Sequence, residues 1–457
     1  MGVPEGRPRS AFGHTAPVSK LFGGLRQAPA RVLAGVQTGV RGLVLKQVGG
    51  RVDLSKIERV PASLGWPLER EGVDPPGRLE EMRAESPVGL LTTFLGIKVW
   101  LVTGYDAGHE VLVDRGAAYS TDIRPYVGKA GAAGGDIGGL GFTDPPDHTR
   151  LRKYLTPEFT RRRLQRLEPL VDAIIERQLD EIEAAAEEAE DGVVDLVQLF
   201  SFPIPFLVIC ELLGLSDERR AIFQELGSAR FDVSSGGIGA FGAISGSREF
   251  LLAETARQRH DPGPGLIGQI VRDHGDEISD YDLGGLADGA FTGGMETSAG
   301  MLALGSAVLL DHPETWKQLA AGEADVDAVV EELLRYLSVV QVAFPRFATK
   351  DVEVAGQQVR KGDVVLVHLP AVDRDPSFGA CPHAFDPDRE VKSHLAFGHG
   401  IHRCVGAELA RMELRKAYPA LARRFPDLAL VRETDDLDYF GSSIVYGVER
   451  LLVRPLG

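Results

Sequence analysis

Cysteine is scarce in this chain. Cys210, Cys381 and Cys404 are the only three in 457 residues, so there is no disulfide framework, and stability must come from a packed core, as expected of a cytoplasmic protein. Long apolar runs are also missing. No stretch of about eighteen apolar residues occurs, which excludes a membrane-spanning helix, and the N-terminus lacks the continuous apolar core of a signal peptide. Positive charge is in deficit, with 50 Lys and Arg against 66 Asp and Glu and a net charge of −16. That balance disfavours nucleic acid as a partner. By length alone the chain could hold two or three domains, and its 44% hydrophobic content is ample for a large core.

The first 52 residues run against the acidic trend. They carry Arg7, Arg9, Lys20, Arg26, Arg31, Arg41, Lys46 and Arg51 with one acid, Glu5, which leaves the rest of the chain near −23. Within this segment 28–48 reads either as a basic amphipathic helix suited to an anionic membrane or partner, or as a docked extension. The expected division is therefore a basic N-terminal extension over 1–60 and one catalytic domain over 61–457.

The chain is organised around His394 to Arg411. Phe397, Gly398, Gly400, His402, Cys404 and Gly406 fall in the spacing F-G-x-G-x-H-x-C-x-G, whose glycines let backbone lie against a flat ring where a side chain would clash. Cys404 precedes an amphipathic run. At a helix N-terminus unpaired N–H groups and the macrodipole favour thiolate over thiol, so this cysteine is a candidate iron ligand. The alternative is a buried structural cysteine in a glycine-rich loop.

Three further motifs stand in order before it. A helical segment from Tyr281 to Leu310 carries Gly293-Gly294-Met295-Glu296-Thr297-Ser298; adjacent glycines cost roughly 1 kcal/mol each in a helix, so a site that keeps them needs room. Glu332 and Arg335 sit at i and i+3 on the next helix but one. Asp144-Pro-Pro-Asp-His148 opens a helix whose His148 and Arg152 share a face and suit carboxylates. Glycine-rich segments at 128–141 and 233–246 read as mobile walls or plain loops.

With these motifs the sequence from Leu79 onward resembles the cytochrome P450 family. The resemblance implies a mainly α fold with a smaller β-rich lobe and a b-type haem between the distal helix and the cysteine loop. Cys404 is then the axial ligand. The absence of Cys-x-x-Cys-His argues against covalent attachment of the haem. By the same resemblance His148, Arg152, Arg346 and His402 bind the propionates, and Gly293, Gly294, Phe397, Gly398 and Gly406 flank the ring. Glu296 and Thr297 deliver the protons that splitting dioxygen requires.

The resemblance further implies that Glu332 and Arg335 lock the cysteine loop together with a third basic group. The arginine or histidine usual two residues before Asp386 is here Ala384, which leaves His383 or Arg389 as substitutes. Asp373 stands where the family commonly has asparagine. The segments around Val340, Val342, Ile444 and Val445 line the pocket, with Gln341, Ser443 and the Tyr446 hydroxyl as its polar groups. Only 53 residues follow Cys404, too few for a flavin or iron–sulfur domain. Electrons are therefore expected from a ferredoxin or flavodoxin with its NAD(P)H-dependent reductase, docked by Arg403, Arg411, Arg415, Lys416 and Arg161 to Arg163. The implied function is a monooxygenase acting on a lipophilic small molecule; a peroxide-using haem-thiolate peroxygenase and a non-enzymatic haem sensor or carrier are the rivals.

Overall fold

A computed structural model describes residues 61–455, apart from 95, 123–139, 227–235 and 391–392. The basic extension over 1–60 and most of the 128–141 loop lie outside the described residues. Nine of the helices among the described residues bear on the site. In chain order they are α1 (Tyr105–Val113), α2 (Asp147–Leu155), α3 (Glu168–Glu188), α4 (Pro203–Leu213), α5 (Gly236–His260), α6 (Asp280–Leu310), α7 (Pro313–Ala321), α8 (Val326–Leu337) and α9 (Ala407–Arg424). The segment expected to interrupt two helices instead enters α5 from Gly236 onward.

The 31-residue α6 is the axis of the helical layer, about 46 Å long at 1.5 Å per residue. Ser279 caps it by accepting from the Asp282 N–H at 3.0 Å. From Leu283 to Leu309 its residues are mostly buried around the whole circumference, as expected of a helix packed on every side. Two of its glycines permit close approach. A Cβ at Gly300 would press on the Tyr446 carbonyl, and one at Gly305 would run into the Tyr418 hydroxyl of α9. Tyr418 donates to the Met301 carbonyl across this seam.

The smaller lobe is a five-stranded sheet in the order β1-β2-β8-β5-β3, made of Val88–Phe94, Ile97–Val102, Val364–Val367, Arg346–Ala348 and Tyr119–Ser120. Only β2 and β8 run parallel, with Trp100 opposite Val365; Trp100, Val102, Val365 and Val367 pack into a core of their own beneath α1. A two-stranded hairpin joins β6 (Val352–Val354) to β7 (Gln357–Val359), and β4 (Val194–Asp195), β10 (Leu452–Arg454) and β9 (Ala429–Leu430) form a small third sheet. The segment around Ser443–Tyr446, expected to line the pocket, joins the 339–342 segment by an isolated bridge between Val340 and Val445.

Candidate active site

The loop bearing Cys404 is pinned at both ends by backbone. The Cys404 N–H donates to the Phe397 carbonyl at 2.9 Å, and Gly398 and Gly400 take the left-handed φ values of 64° and 71° that make the turn between them possible. At Gly400 a Cβ would also strike the Leu112 carbonyl of α1. Gly406, just before α9, gives its N–H to the sulfur, and Arg403, Arg152 and Arg411 surround it with positive charge. Burial nevertheless wins and pushes the Cys404 thiol above its ordinary value, the reverse of the sequence expectation. Loss of water outweighs the Gly406 N–H and the three arginines, and a metal cation bound at the sulfur would supply the charge to reverse that balance.

Behind the loop, Arg335 makes two 2.7 Å bonds to Glu332 and reaches the Asp373, Pro382 and Ala384 carbonyls. The third basic group is Arg389, whose Nε lies 3.1 Å from Glu332; His383 turns away to Glu80. Arg389 also donates to the Phe378, Cys381 and Ala384 carbonyls, so it closes the network that Ala384 could not. The structure also supplies a reason for Asp373. Its two oxygens accept from the Leu395 N–H at 2.6 Å and the Ser338 hydroxyl at 2.7 Å. A carboxylate can serve both donors, whereas an amide has one accepting atom.

His148 of α2 is buried, with its ring centroid 4.4 Å from that of His402. Neither His148 ring nitrogen has a hydrogen-bond partner, and a buried donor or acceptor left so costs about 1–3 kcal/mol. Arg346 is also buried and donates to the Phe344 carbonyl at 2.7 Å. Burial lowers Arg346 to about 10, and burial with Arg346 and His148 alongside lowers His402 to about 3. These groups are short of negative charge and of acceptors. A ring carrying carboxylates supplies both, so the residues fit a haem with its acidic edge here. Arg152 stands next to them and donates to the Arg403 carbonyl at 2.6 Å.

On α6, Gly293 faces open space, with nothing within 4 Å of where its Cβ would be. Gly294 has another reason to be small, since its Cβ would press on Ile209 of α4. Thr297 is half-buried and donates to the Gly293 carbonyl at 2.7 Å; Glu296 beside it is also half-buried. A notch, an acid and a hydroxyl thus occupy one turn.

This arrangement can be set against known proteins. The cytochrome P450 family model matches residues 89–226 and 326–446. Cytochrome P450 165C4 of Amycolatopsis orientalis is 40% identical over 365 residues, covering 78% of this chain and 88% of that protein. The chain belongs to the cytochrome P450 family. 6-Deoxyerythronolide B hydroxylase of Saccharopolyspora erythraea is 35% identical over 402 residues, 82% of this chain and 94% of its own. Among solved structures, OxyC, a P450 implicated in an oxidative C–C coupling during vancomycin biosynthesis, superimposes with a TM-score of 0.74 at 37% identity, covering 86% of this chain and 97% of that one. P450s bind haem, and this one is a monooxygenase by its family and relatives. Among the described residues no helix is long and apolar enough to cross a membrane.

In this P450 the expected pocket residues divide. Val340 and Val342 are half-buried and Ile444 is exposed, whereas Val445 is buried. The expected polar groups turn away: Gln341 is fully buried and bonded to Arg70 and to the Leu68 and Ser443 carbonyls, and the Tyr446 hydroxyl donates to Gly72. The sequence reading missed an aromatic pair. Phe344, 44% exposed, meets Phe142 edge-on at 4.8 Å, and no motif announced it. The expected docking charges divide as well. Arg411 is tied to Glu331 and Glu408, Arg415 to Asp327, and Lys416 to Asp172, while Arg163 pairs with Glu158.

Proposed function

We propose that Cys404 ligates the iron of a b-type haem whose propionates are held by His148, Arg152, Arg346 and His402, in a catalytic domain spanning 61–457 to which 1–60 are a basic extension. The observation that carries this reading is the pair of buried, partnerless ring nitrogens of His148 facing His402, a cost that only an acidic ligand at that place repays. Haem with a thiolate ligand supplies oxygen-activating chemistry. The protein's own part is to keep the sulfur in a dry, cationic loop, to leave space at Gly293, and to hold a proton supply at Glu296 and Thr297. The Thr297 hydroxyl is anchored on the Gly293 carbonyl, which leaves its oxygen free to accept a further hydrogen bond.

The substrate is a lipophilic molecule. With Gln341 and the Tyr446 hydroxyl bonded elsewhere, the side chains offered to it are Val340, Val342, Ile444 and the Phe142–Phe344 pair, an apolar and partly aromatic wall. Relatives named 6-deoxyerythronolide B hydroxylase and 20-oxo-5-O-mycaminosyltylactone 23-monooxygenase support an oxygenated lipophile. Electrons come from a separate ferredoxin or flavodoxin with its reductase. The reading is tested by the absorption spectrum of the reduced, carbon-monoxide-bound protein. The native chain gives the red-shifted thiolate band and Cys404→Ala loses both that band and product formation. A thiolate band surviving in Cys404→Ala would overturn the assignment.

A further inference from the structure

Glu331 is the neighbour of Glu332 on α8, yet it takes no part in the Glu332–Arg335–Arg389 network. Its carboxylate instead accepts from Arg411 of α9, at 2.5 Å from Nε and 2.8 Å from Nη2, and its Oε2 lies 3.2 Å from His394 Nε2. Arg411 is 12% exposed and His394 5%, so this is an inward cluster and not a docking charge. The guanidinium carbon lies over the Phe397 ring, 4.7 Å from its centroid. Phe397 in turn accepts the Cys404 N–H, and the Arg411 charge acts on the Cys404 sulfur. Three elements, α8, α9 and the cysteine loop, thus meet on one cation stacked on the residue that holds the ligand's backbone.

We propose that Glu331 and Arg411, with His394 alongside, are positioning residues that set the electron affinity of the thiolate-bound site, Arg411 as the cation under the loop and Glu331 as the charge that attenuates it. A planar guanidinium clamped at both edges is held at fixed distance from the sulfur, and charge buried at fixed distance is only weakly screened. The inference rests on the haem-thiolate reading above. It predicts opposite signs for its two halves. Removing Glu331 uncovers positive charge, which favours the reduced, more negative state; removing Arg411 uncovers negative charge, which disfavours it.

The experiment is a spectroscopic reduction titration of the haem-loaded full chain. Glu331→Gln raises the ratio of reduced to oxidised protein at fixed potential about tenfold, which is 59 mV for one electron. Arg411→Met lowers it by a similar factor, Arg411→Lys stays closer to native, and the double variant returns to within about twofold. Loosening of the loop would move both single variants the same way. Shifts of one sign, or none beyond about twofold, overturn the proposal and leave the cluster a structural ion pair. If Glu331→Gln loads no haem, Arg411→Met and Arg411→Lys decide: the first must fall and the second hold. The carbon-monoxide band of each variant separately reports whether thiolate ligation persists, so failure of the haem-thiolate reading shows there and failure of the tuning shows in the potential.

Discussion

Arg389 and Glu413 show how burial gives a single residue its role. Glu332 is 6% exposed and answers two arginines; removing one partner of a buried ion pair is strongly destabilising because it leaves charge uncompensated. Since Arg335 remains, Arg389→Met should cost about 3 kcal/mol in denaturant unfolding, at the lower end of that range. His383→Ala, on an exposed pair, should cost less than about 0.5 kcal/mol. Equal effects would mean that Arg389 is not the third member. Glu413 of α9 is buried against Ser298 of α6, and loss of water raises its carboxyl to about 8 from 4.5. The folded state therefore holds a proton that the unfolded chain has released above pH 4.5. Its contribution is complete below that pH and is lost as pH rises toward 8, since stability falls wherever the native state binds more protons. Melting temperatures from pH 5 to 9 should decline for this reason, and Glu413→Gln should flatten the decline. An unchanged slope in that variant would place the titration elsewhere.

At the scale of elements, α6 separates glycines that serve packing from one that serves the site. Gly305→Ala drives a methyl into the Tyr418 hydroxyl and should cost about 1–3 kcal/mol by overpacking. Gly293→Ala meets nothing within 4 Å; it should leave stability unchanged or raise it by up to roughly 1 kcal/mol through helix propensity, while turnover falls. A stability loss at Gly293 equal to that at Gly305 would refute the distinction. The sequence announced α6, the cysteine loop and the Glu-x-x-Arg helix because each is a local motif, legible from spacing along one stretch. It could not announce which glycine faces the notch, because that depends on Ile209 and Tyr418, which approach from α4 and α9. For the same reason Arg389 was one candidate of two, Gln341 was placed in the pocket although its amide is consumed by Leu68 and Ser443, and the Phe142–Phe344 pair went unseen. Such facts belong to tertiary proximity between segments up to 273 residues apart.

For the whole molecule, a net charge of −16 sets the terms on which the acidic ferredoxin proposed above would deliver electrons. Long-range repulsion disfavours the encounter, so a local positive face must provide the steering. The ion pairs on α9 withdraw Arg411, Arg415 and Lys416 from that task. Lys153, Arg161, Arg162 and Arg403 remain exposed, with no ion pair among the described residues, and Arg403 immediately precedes the cysteine. A partner steered by charge is therefore expected to dock at the end of α2, residues 161–162 and the cysteine loop, the part of the expected basic set that ion pairs leave open. Reduction by an acidic ferredoxin should slow steeply as ionic strength rises, because the Debye length contracts from about 10 Å at 0.1 M salt to 3 Å at 1 M. Arg161→Glu with Arg162→Glu should slow the bimolecular step by about tenfold or more at low salt and have little effect at high salt. Charge reversal at Lys416 should change the rate far less, since its ammonium is already answered by Asp172. Stopped-flow reduction of the haem-loaded chain measures each case. Equal losses at Lys416 and at the 161–162 pair would return the dock to α9.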